Sequence, residues 1–241
     1  MSDQKDVHDA QQEMQDAFGR TSDERDGAKA SVGDAARKIK ELLRSRKDND
    51  GLLKKALDIL DCRCGSSVEF WSQHLGSVEC KVIAEALKHK SSVTHLNLSN
   101  NGIGDDEAKA IAEALKHSTS VTHLNLSGNI IGPEGGKVIG AVLRHNTSVT
   151  HLYLSHNEIH DYGAKALAEA LKDNASVTHL TLKSNNIGDE GGKALLSCLK
   201  VNMTIKQLHC FSATLSKSSA FAHLLATTHH KRPGVNVSFS R

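Results

Sequence analysis

The chain has 241 residues, a formal net charge of +2 and an aromatic content of only 3%. So few aromatic residues predict a core built from Leu, Ile, Val and Ala. No run of 18 apolar residues occurs, so no membrane span is predicted, and the polar first 20 residues do not resemble a signal peptide. Five cysteines, an odd number, argue against a secreted disulfide framework and favour thiols buried in the core.

The amino-terminal segment, residues 1–33, is polar. It holds eight Asp or Glu against four Lys or Arg, without dense apolar periodicity. Two interpretations are open: a mobile arm, and a helix that binds a partner through Val7, Met14 and Phe18. The next segment, residues 34–64, has apolar residues at helical spacing. We expect it to form a helical cap over the first hydrophobic layer of the domain that follows.

Residues 65–215 contain a 28-residue block that occurs four times without an insertion. The copies begin at Val93, Val121, Val149 and Val177. In each block, alternating apolar residues predict a short strand with one covered face, and an amphipathic helix follows. Because a helical crossover joins each strand to the next, the strands are predicted to run parallel. Self-similarity at this period predicts a solenoid, in which each repeat buries its apolar face only against its neighbours.

The pattern V-x-x-L-x-L-x-x-N-x-I, followed by an amphipathic helix, resembles the ribonuclease-inhibitor type of leucine-rich repeat. A weaker copy flanks the four strong ones at each end, with Gln73 and Ala213 at the position of the motif asparagine. The resemblance implies a right-handed α/β solenoid, a horseshoe arc with a parallel inner sheet and outer helices. It further implies a protein that binds other proteins.

The carboxyl-terminal segment, residues 216–241, is predicted to be a cap. It would contain a final helix and a last strand in which Val235, Val237 and Phe239 alternate. After Glu190 the chain has seven Lys or Arg and no Asp or Glu. This positive end would favour an acidic partner, nucleic acid or an anionic membrane surface, and a solvated cap is the other interpretation.

The motif asparagines are predicted to have a structural role. They lie where each strand passes into a loop, and buried side-chain amides require hydrogen-bond partners. Backbone groups of the turns are the expected partners, so the amides would form a stacked ladder along the domain. The four members are Asn101, Asn129, Asn157 and Asn185.

The outward-facing strand positions are predicted to form columns on the inner face of the sheet, and these columns are the candidate partner-binding site. The first column contains His95, His123, His151 and His179. The second contains Asn97, Asn125, Tyr153 and Thr181, with His156 close by. The third contains Trp71, Ser99, Ser127, Ser155, Lys183 and Phe211, of which Trp71 and Phe211 are candidate contacts. Tyr153 is the expected anchor, because Tyr offers a large contact area with few rotatable bonds.

Three interpretations of the histidine column are open: partner contact, neutral surface histidines copied with the repeat, and metal binding. No metal site is predicted, because the column lacks carboxylate or thiolate ligands and a converging geometry. No Gly-rich phosphate loop, nucleophile elbow or paired-carboxylate site occurs, so neither catalysis nor a cofactor is predicted. Specific nucleic-acid binding is not predicted either, because the inner face is nearly neutral and aromatic residues do not interleave with basic ones.

The sequence therefore predicts a non-enzymatic scaffold that binds another protein across its inner face. Potential glycosylation sites on that face, such as the one at Asn97, favour a cytoplasmic location, because sugars there would block the surface. The alternatives are an activator of a small GTPase, an effector that an intracellular microbe directs at its host, and an actin-regulatory binder. The GTPase alternative lacks an arginine on the inner-face columns that could act in a transition state.

Overall fold

The computed structural model of the chain describes residues 34–39, 56, 66–88, 92–210 and 235–238. The predicted amino-terminal arm, most of the predicted helical cap, Phe211 and the predicted final helix lie outside the described residues. Residues 34–39 and Ala56 are helical.

Short parallel strands alternate with helices along the described repeats. The strands are β1 (Ser67–Glu69), β2 (His95–Asn97), β3 (His123–Asn125), β4 (His151–Tyr153), β5 (His179–Thr181), β6 (Gln207–His209) and β7 (Asn236–Ser238). The helices between them are α1 (Ser77–Leu87), α2 (Asp105–Leu115), α3 (Pro133–Leu143), α4 (His160–Asp173) and α5 (Asp189–Leu199). The strands form one seven-stranded sheet in sequence order with every pair parallel, which confirms the predicted α/β solenoid.

The register of the sheet follows from the constant length of the repeat. Between β2 and β3, His95 pairs with His123 and Leu96 with Leu124, a step of 28 residues. Every step from β1 to β6 is the same, so each column of equivalent residues in the sequence becomes a column in space. The last step is longer by one residue, because Leu208 pairs with Val237.

The hydrophobic core lies between the sheet and the helices. The central residue of each strand, Leu in β2 to β6 and Val in β1 and β7, is buried, and the apolar stripes of the helices cover the sheet. In α2 this stripe is Ala108, Ile111, Ala112 and Leu115, none of which is more than 1% exposed. The predicted i, i+3, i+4, i+7 spacing therefore places one helix face against the strands.

Part of the segment that precedes the repeats packs on this core. Ala35, Ile39 and Ala56 are buried and belong to the same hydrophobic cluster. Lys38, on the helical turn of residues 34–39, forms an ion pair with Glu85 of α1 at 2.8 Å. These contacts support a capping role for the segment.

The described cysteines Cys80, Cys198 and Cys210 are buried, as predicted for core thiols. Burial raises the pKa of the Cys80 thiol to about 12, and the neighbouring charge of Glu107 adds to the effect. Burial also raises the pKa of the Cys210 thiol to about 12. Both groups are therefore protonated and unreactive at neutral pH.

The motif asparagines line the edge of the solenoid where strands pass into helices. The Asn129 side-chain oxygen accepts hydrogen bonds from the backbone N–H groups of Asn101 at 2.9 Å and Ile103 at 3.0 Å, both in the preceding repeat. Its amide donates to the carbonyl oxygens of Leu98 at 3.1 Å and Leu126 at 2.9 Å. Each such amide joins two successive repeats, and related bonds occur at Asn101, Asn157 and Asn185. This geometry supports the structural role expected for the ladder.

A second ladder, outside the strand motif, runs along the opposite edge, where helices pass into strands. The Asn146 amide donates to the carbonyl oxygen of Leu115 at 2.9 Å, and its side-chain oxygen accepts from the N–H groups of Ser148 at 3.0 Å and Val149 at 2.9 Å. The buried members of this ladder are Ser118, Asn146, Asn174 and Asn202. Their 28-residue spacing was a usable signal in the sequence.

The acidic residues at the helix starts also act between repeats. An Asp105 oxygen accepts hydrogen bonds from the N–H groups of Gly132 and Gly135, at the start of α3, each at 2.8 Å. Asp161 does the same at the start of α5. A Cβ atom on Gly135 would lie 2.6 Å from the Asp105 oxygen, so glycine is required for this approach. The carboxylates therefore cap the next helix directly, beyond the dipole effect that their position predicts.

Candidate partner-binding surface

The inner face is the surface of the sheet that is turned away from the helices. The first and third residues of β2, β3, β4 and β5 point onto it, while the central residue is buried. In β4, for example, His151 and Tyr153 are half-buried and Leu152 is fully buried. The candidate residues of the first two columns thus share one surface with fixed spacing.

The four histidines of the first column form a continuous stack. Neighbouring ring centroids lie 4.0, 4.1 and 4.1 Å apart, and the ring planes deviate from parallel by 10–15°. This spacing is shorter than the roughly 4.8 Å between strands. The difference is expected where side chains converge on the inner side of a curved sheet.

Each histidine is held by the threonine that precedes it. The Nδ1 atom of His123 lies 2.9 Å from the Thr122 hydroxyl oxygen, and that hydroxyl lies 3.1 Å from the carbonyl oxygen of Thr94 in the preceding repeat. The same pair of contacts occurs at His95, His151 and His179, with Nδ1 distances of 2.8 to 2.9 Å. The threonines were not among the candidate site residues, although they repeat with the same period.

The stack lowers the proton affinity of its inner members. Burial and the nearby imidazoles of His95 and His179 lower the pKa of His123 below its usual value. Burial and the charges of the other three rings lower the pKa of His151 to about 4. These two rings are therefore neutral at physiological pH.

The second column varies from strand to strand. The Asn97 amide donates to a Glu69 carboxylate oxygen at 2.6 Å, and the Asn97 oxygen accepts from the Ser99 hydroxyl at 2.7 Å. The Asn125 oxygen accepts from the Ser127 N–H at 3.0 Å.

Farther along the second column, Tyr153 and Thr181 have different neighbours. Tyr153 lies beside His151, with ring centroids 6.4 Å apart. The Thr181 hydroxyl accepts from the Ser155 hydroxyl at 3.0 Å. The column thus offers a different side chain at each strand.

A shallow depression of about 200 Å³ lies where the two columns meet near the first strands. It is lined by Glu69, His95, Leu96, Asn97, His123, Asn125 and Tyr153. The depression therefore brings together five of the predicted site residues. It adds the carboxylate of Glu69, which belongs to the second column but was not predicted to take part.

The remaining predicted site residues lie apart from this depression. Trp71 follows β1 in a turn and is 61% exposed, whereas Ser99, expected in the same third column, is only 6% exposed. The expectation of an outward-facing third column is wrong at Ser99, whose N–H and hydroxyl groups both donate to the Asn97 side-chain oxygen. His156 is exposed in a turn with a positive φ of 57°, and Phe211 lies outside the described residues.

The helical surface on the other side of the solenoid carries more charge, but many of its side chains pair with one another. Glu85 accepts from Lys38 and Lys88, which together hold the pKa of its carboxyl below the usual value despite partial burial. The other described ion pairs there join Lys116 to Glu113, Lys137 to Glu134, Arg144 to Asp173, Lys172 to Glu169, and Lys165 and Lys193 to Glu190. These exposed pairs each contribute little to stability.

Within the described ranges, no three or more His, Cys, Asp or Glu side chains are arranged to hold a metal ion. Rings in a parallel stack direct their nitrogen lone pairs side by side rather than toward one point. None of the described helices is long and apolar enough to cross a membrane.

Comparisons with known proteins address the repeats and the fold. Residues 89–112, 117–140, 145–168 and 173–196 each match the family described as Leucine Rich repeat. Comparison of the sequence with curated proteins gives no match.

Many solved structures share the fold, and two of them are similar over most of their own length. The structure titled "Leiomodin-1 Actin-Binding Site 2 (ABS2)" aligns with a TM-score of 0.55 and 22% identity, over 61% of this chain and 86% of that chain. The tropomodulin C-terminal domain from Caenorhabditis elegans aligns with a TM-score of 0.53 and 16% identity, over 65% of this chain and 93% of that chain. Four segments between residues 89 and 196 thus match leucine-rich repeats, and the described residues fold as an α/β solenoid.

Proposed function

We propose that the chain is a non-catalytic scaffold that binds another protein through its inner face. The observation that carries the proposal is the pair of columns on that face, where a uniform histidine stack lies beside a column that changes at each strand. A rigid surface with one varied column is suited to recognition of a specific partner. Tyr153, half-buried at the middle of this surface, is the proposed anchor.

Three further observations support the finer parts of the proposal. The 28-residue length and the full helix in each repeat favour the ribonuclease-inhibitor type. The cytoplasm is the favoured compartment because the potential glycosylation site at Asn97 lies on the proposed binding face. The basic carboxyl-terminal end favours a partner with acidic groups at that end.

Actin is a second candidate partner, because one of the similar structures is named for an actin-binding site. The similar fold is a reason to test actin binding, but it does not identify the residues that would bind actin. Regulation of a small GTPase has less support, because Arg144, the one arginine in the described repeats, lies at the end of α3 and pairs with Asp173 at 3.3 Å. Stimulated nucleotide hydrolysis would distinguish that activity from passive binding.

The test is a binding measurement with a matched variant on each surface. A partner is identified by cross-linking in cell extract, purified actin is included as a defined probe, and dissociation constants are then measured. The double substitution Tyr153→Ala with His151→Ala should preserve the fold and weaken binding at least tenfold, which corresponds to about 1.4 kcal/mol.

The control reverses the charges of Lys109, Lys137 and Lys165 on the helical surface, and it should leave the affinity unchanged. Binding that survives the inner-face variant and fails in the helical-surface variant would contradict the proposal.

A further inference from the structure

The hydrogen bonds around the histidine stack define which ring nitrogen carries the proton. A threonine hydroxyl has one hydrogen, and here its oxygen lies 2.9 to 3.1 Å from a backbone carbonyl oxygen. If that hydrogen pointed toward the imidazole, two oxygens would face each other at this distance with no hydrogen between them. The hydroxyl therefore donates to the carbonyl and accepts from the ring, so Nδ1 carries the hydrogen.

The opposite ring nitrogen is consequently a hydrogen-bond acceptor. Within the described part of the chain, no residue makes a hydrogen bond to the Nε2 atom of any of the four histidines. Since the rings stack at 4.0 to 4.1 Å, these nitrogens form a row of closely spaced acceptors on the inner face. The lowered pKa of His123 keeps its ring in this accepting form at neutral pH.

The depression at the start of the row has the chemistry of a cation site. His95 and His123 contribute two neighbouring acceptors, and the ring of Tyr153 lines the same space. The Glu69 carboxylate is oriented by the Asn97 amide at 2.6 Å and the Ser67 hydroxyl at 3.3 Å. A partner carboxylate would meet the imidazole lone pairs and a like charge there. A cationic donor would meet acceptors, a negative charge and an aromatic ring.

We propose that the depression lined by Glu69, His95, His123 and Tyr153 receives an arginine side chain of the partner. This proposal rests on the proposed protein-binding function. Arginine fits better than lysine because its planar guanidinium presents five N–H donors and can reach two adjacent acceptors at once. It also stacks on aromatic rings. An ammonium group is a compact, strongly hydrated charge that uses this row of acceptors less well.

The proton position is tested first, by long-range nitrogen–proton NMR of the histidine rings at neutral pH. The expected result is the Nδ1–H tautomer at His95, His123, His151 and His179. In Thr122→Val, which removes one accepting hydroxyl, the His123 signals should shift toward the other tautomer while those of His179 stay unchanged. An Nε2–H pattern in the native chain would overturn the proposal, because the row would then consist of donors.

Binding is tested by NMR titration with N-acetyl-argininamide, and N-acetyl-lysinamide serves as the matched probe. Argininamide should shift the ring signals of His95, His123 and Tyr153 and bind at least threefold more tightly than lysinamide. The double substitution His95→Phe with His123→Phe retains stacked rings but removes both acceptors, so it should weaken argininamide binding at least fivefold.

Two further variants complete the titration. His145→Phe changes an exposed histidine that follows α3, outside the inner face, and should leave argininamide binding unchanged. Glu69→Gln, which leaves the stack intact, should weaken it about threefold, so the site is tested even if the double ring variant unfolds. Equal affinity for the two probes, or shifts confined to the helical surface, would overturn the arginine assignment.

The probe titration is independent of the natural partner, so two failures can be distinguished. If argininamide does not bind at the depression but the Tyr153 and His151 substitutions still weaken partner binding, the arginine assignment is wrong and the scaffold function stands. If the natural partner binds the helical surface, the scaffold proposal is wrong, and the assignment of a partner arginine is wrong with it.

Discussion

The two edges of the solenoid are held by asparagine ladders that differ in how they connect the repeats. On the strand-to-helix edge, the Asn129 oxygen accepts from backbone N–H groups of the preceding repeat. The Asn129 amide also donates one hydrogen bond to a carbonyl oxygen of that repeat. On the helix-to-strand edge, the Asn146 amide donates to the preceding repeat, but its oxygen accepts only from Ser148 and Val149, two and three residues farther along the chain. The first ladder therefore couples adjacent repeats through both ends of the amide, and the second through one.

The two ladders also differ in whether another residue type replaces the asparagine. All four strong repeats carry Asn at the strand-to-helix position. On the other edge, Ser118 replaces the first Asn and remains buried, with a 3.4 Å hydrogen bond from the Val121 N–H to its hydroxyl. A local acceptor thus suffices at that edge, whereas the strand-to-helix edge uses an amide that spans the interface.

The largest expected effect is that of Asn129→Ala. The substitution leaves the N–H groups of Asn101 and Ile103 and the carbonyl groups opposite the amide without their partner, at a cost of about 3 kcal/mol in unfolding free energy. Urea denaturation measures it. Asn125→Ala, in the same repeat but on the half-buried inner face, is the control and should cost less than about 1 kcal/mol. Equal effects of the two substitutions would remove the special role of the ladder.

A smaller effect is expected on the other edge. Asn146→Ala should lower the unfolding free energy by roughly 1–2 kcal/mol, because fewer groups across the interface lose a partner. Asn146→Ser should cost less than Asn146→Ala, since Ser118 already occupies the equivalent position. The same urea experiment compares the three proteins. If Asn146→Ala is more destabilising than Asn129→Ala, the proposed difference between the edges is wrong.

The smallest expected effect is a pH dependence of stability that the histidine stack causes. The ladders do not contribute to it, because amide side chains do not titrate. The folded pKa values of His123 and His151 are lowered, to about 4 for His151, so the unfolded chain binds protons more readily between about pH 4 and 6.5. Stability from these rings is therefore present above about pH 6.5 and declines as the pH falls through this window.

The measurement compares urea midpoints at about pH 7.5 and about pH 5 for the native chain and for His123→Phe with His151→Phe. The double variant should lose less stability on acidification than the native chain does. The costs of Asn129→Ala and Asn146→Ala should be the same at both pH values. A ladder substitution whose cost changes with pH would show that the histidine stack and the ladders are coupled.

The fold agrees best with the sequence-based prediction in those features that depend only on the periodicity of the sequence. A constant 28-residue repeat places His95 beside His123, and the alternation around Leu96 determines which side chains are buried. The prediction fails at Ser99, because the alternation of apolar and polar residues would have placed this residue on the inner face, whereas it is buried. At that position the Asn97 oxygen accepts from the Ser99 N–H and hydroxyl groups, a local contact that periodicity does not encode.

The candidate site was predictable as columns but not as a cavity. Equal spacing identified the histidines and the varied column around Tyr153. The role of Glu69 was missed because it lies in a weak repeat, and its contribution depends on the neighbouring Asn97 amide. The threonines were missed because each acts through a carbonyl oxygen 28 residues earlier, a contact that exists only after the strands pair.

The sequence by itself determined the solenoid, the order and parallel direction of its strands, and the columns on its inner face. These properties follow from the length of the repeat and from the alternation of apolar and polar residues in the strands, which recur in every strong repeat. Only the tertiary structure decided the ring spacing of the histidine stack, the partners of both ladders and the capping of α3 by Asp105. Each of these depends on atoms from two repeats that meet in space, and a linear pattern does not specify their distances or hydrogen-bond directions.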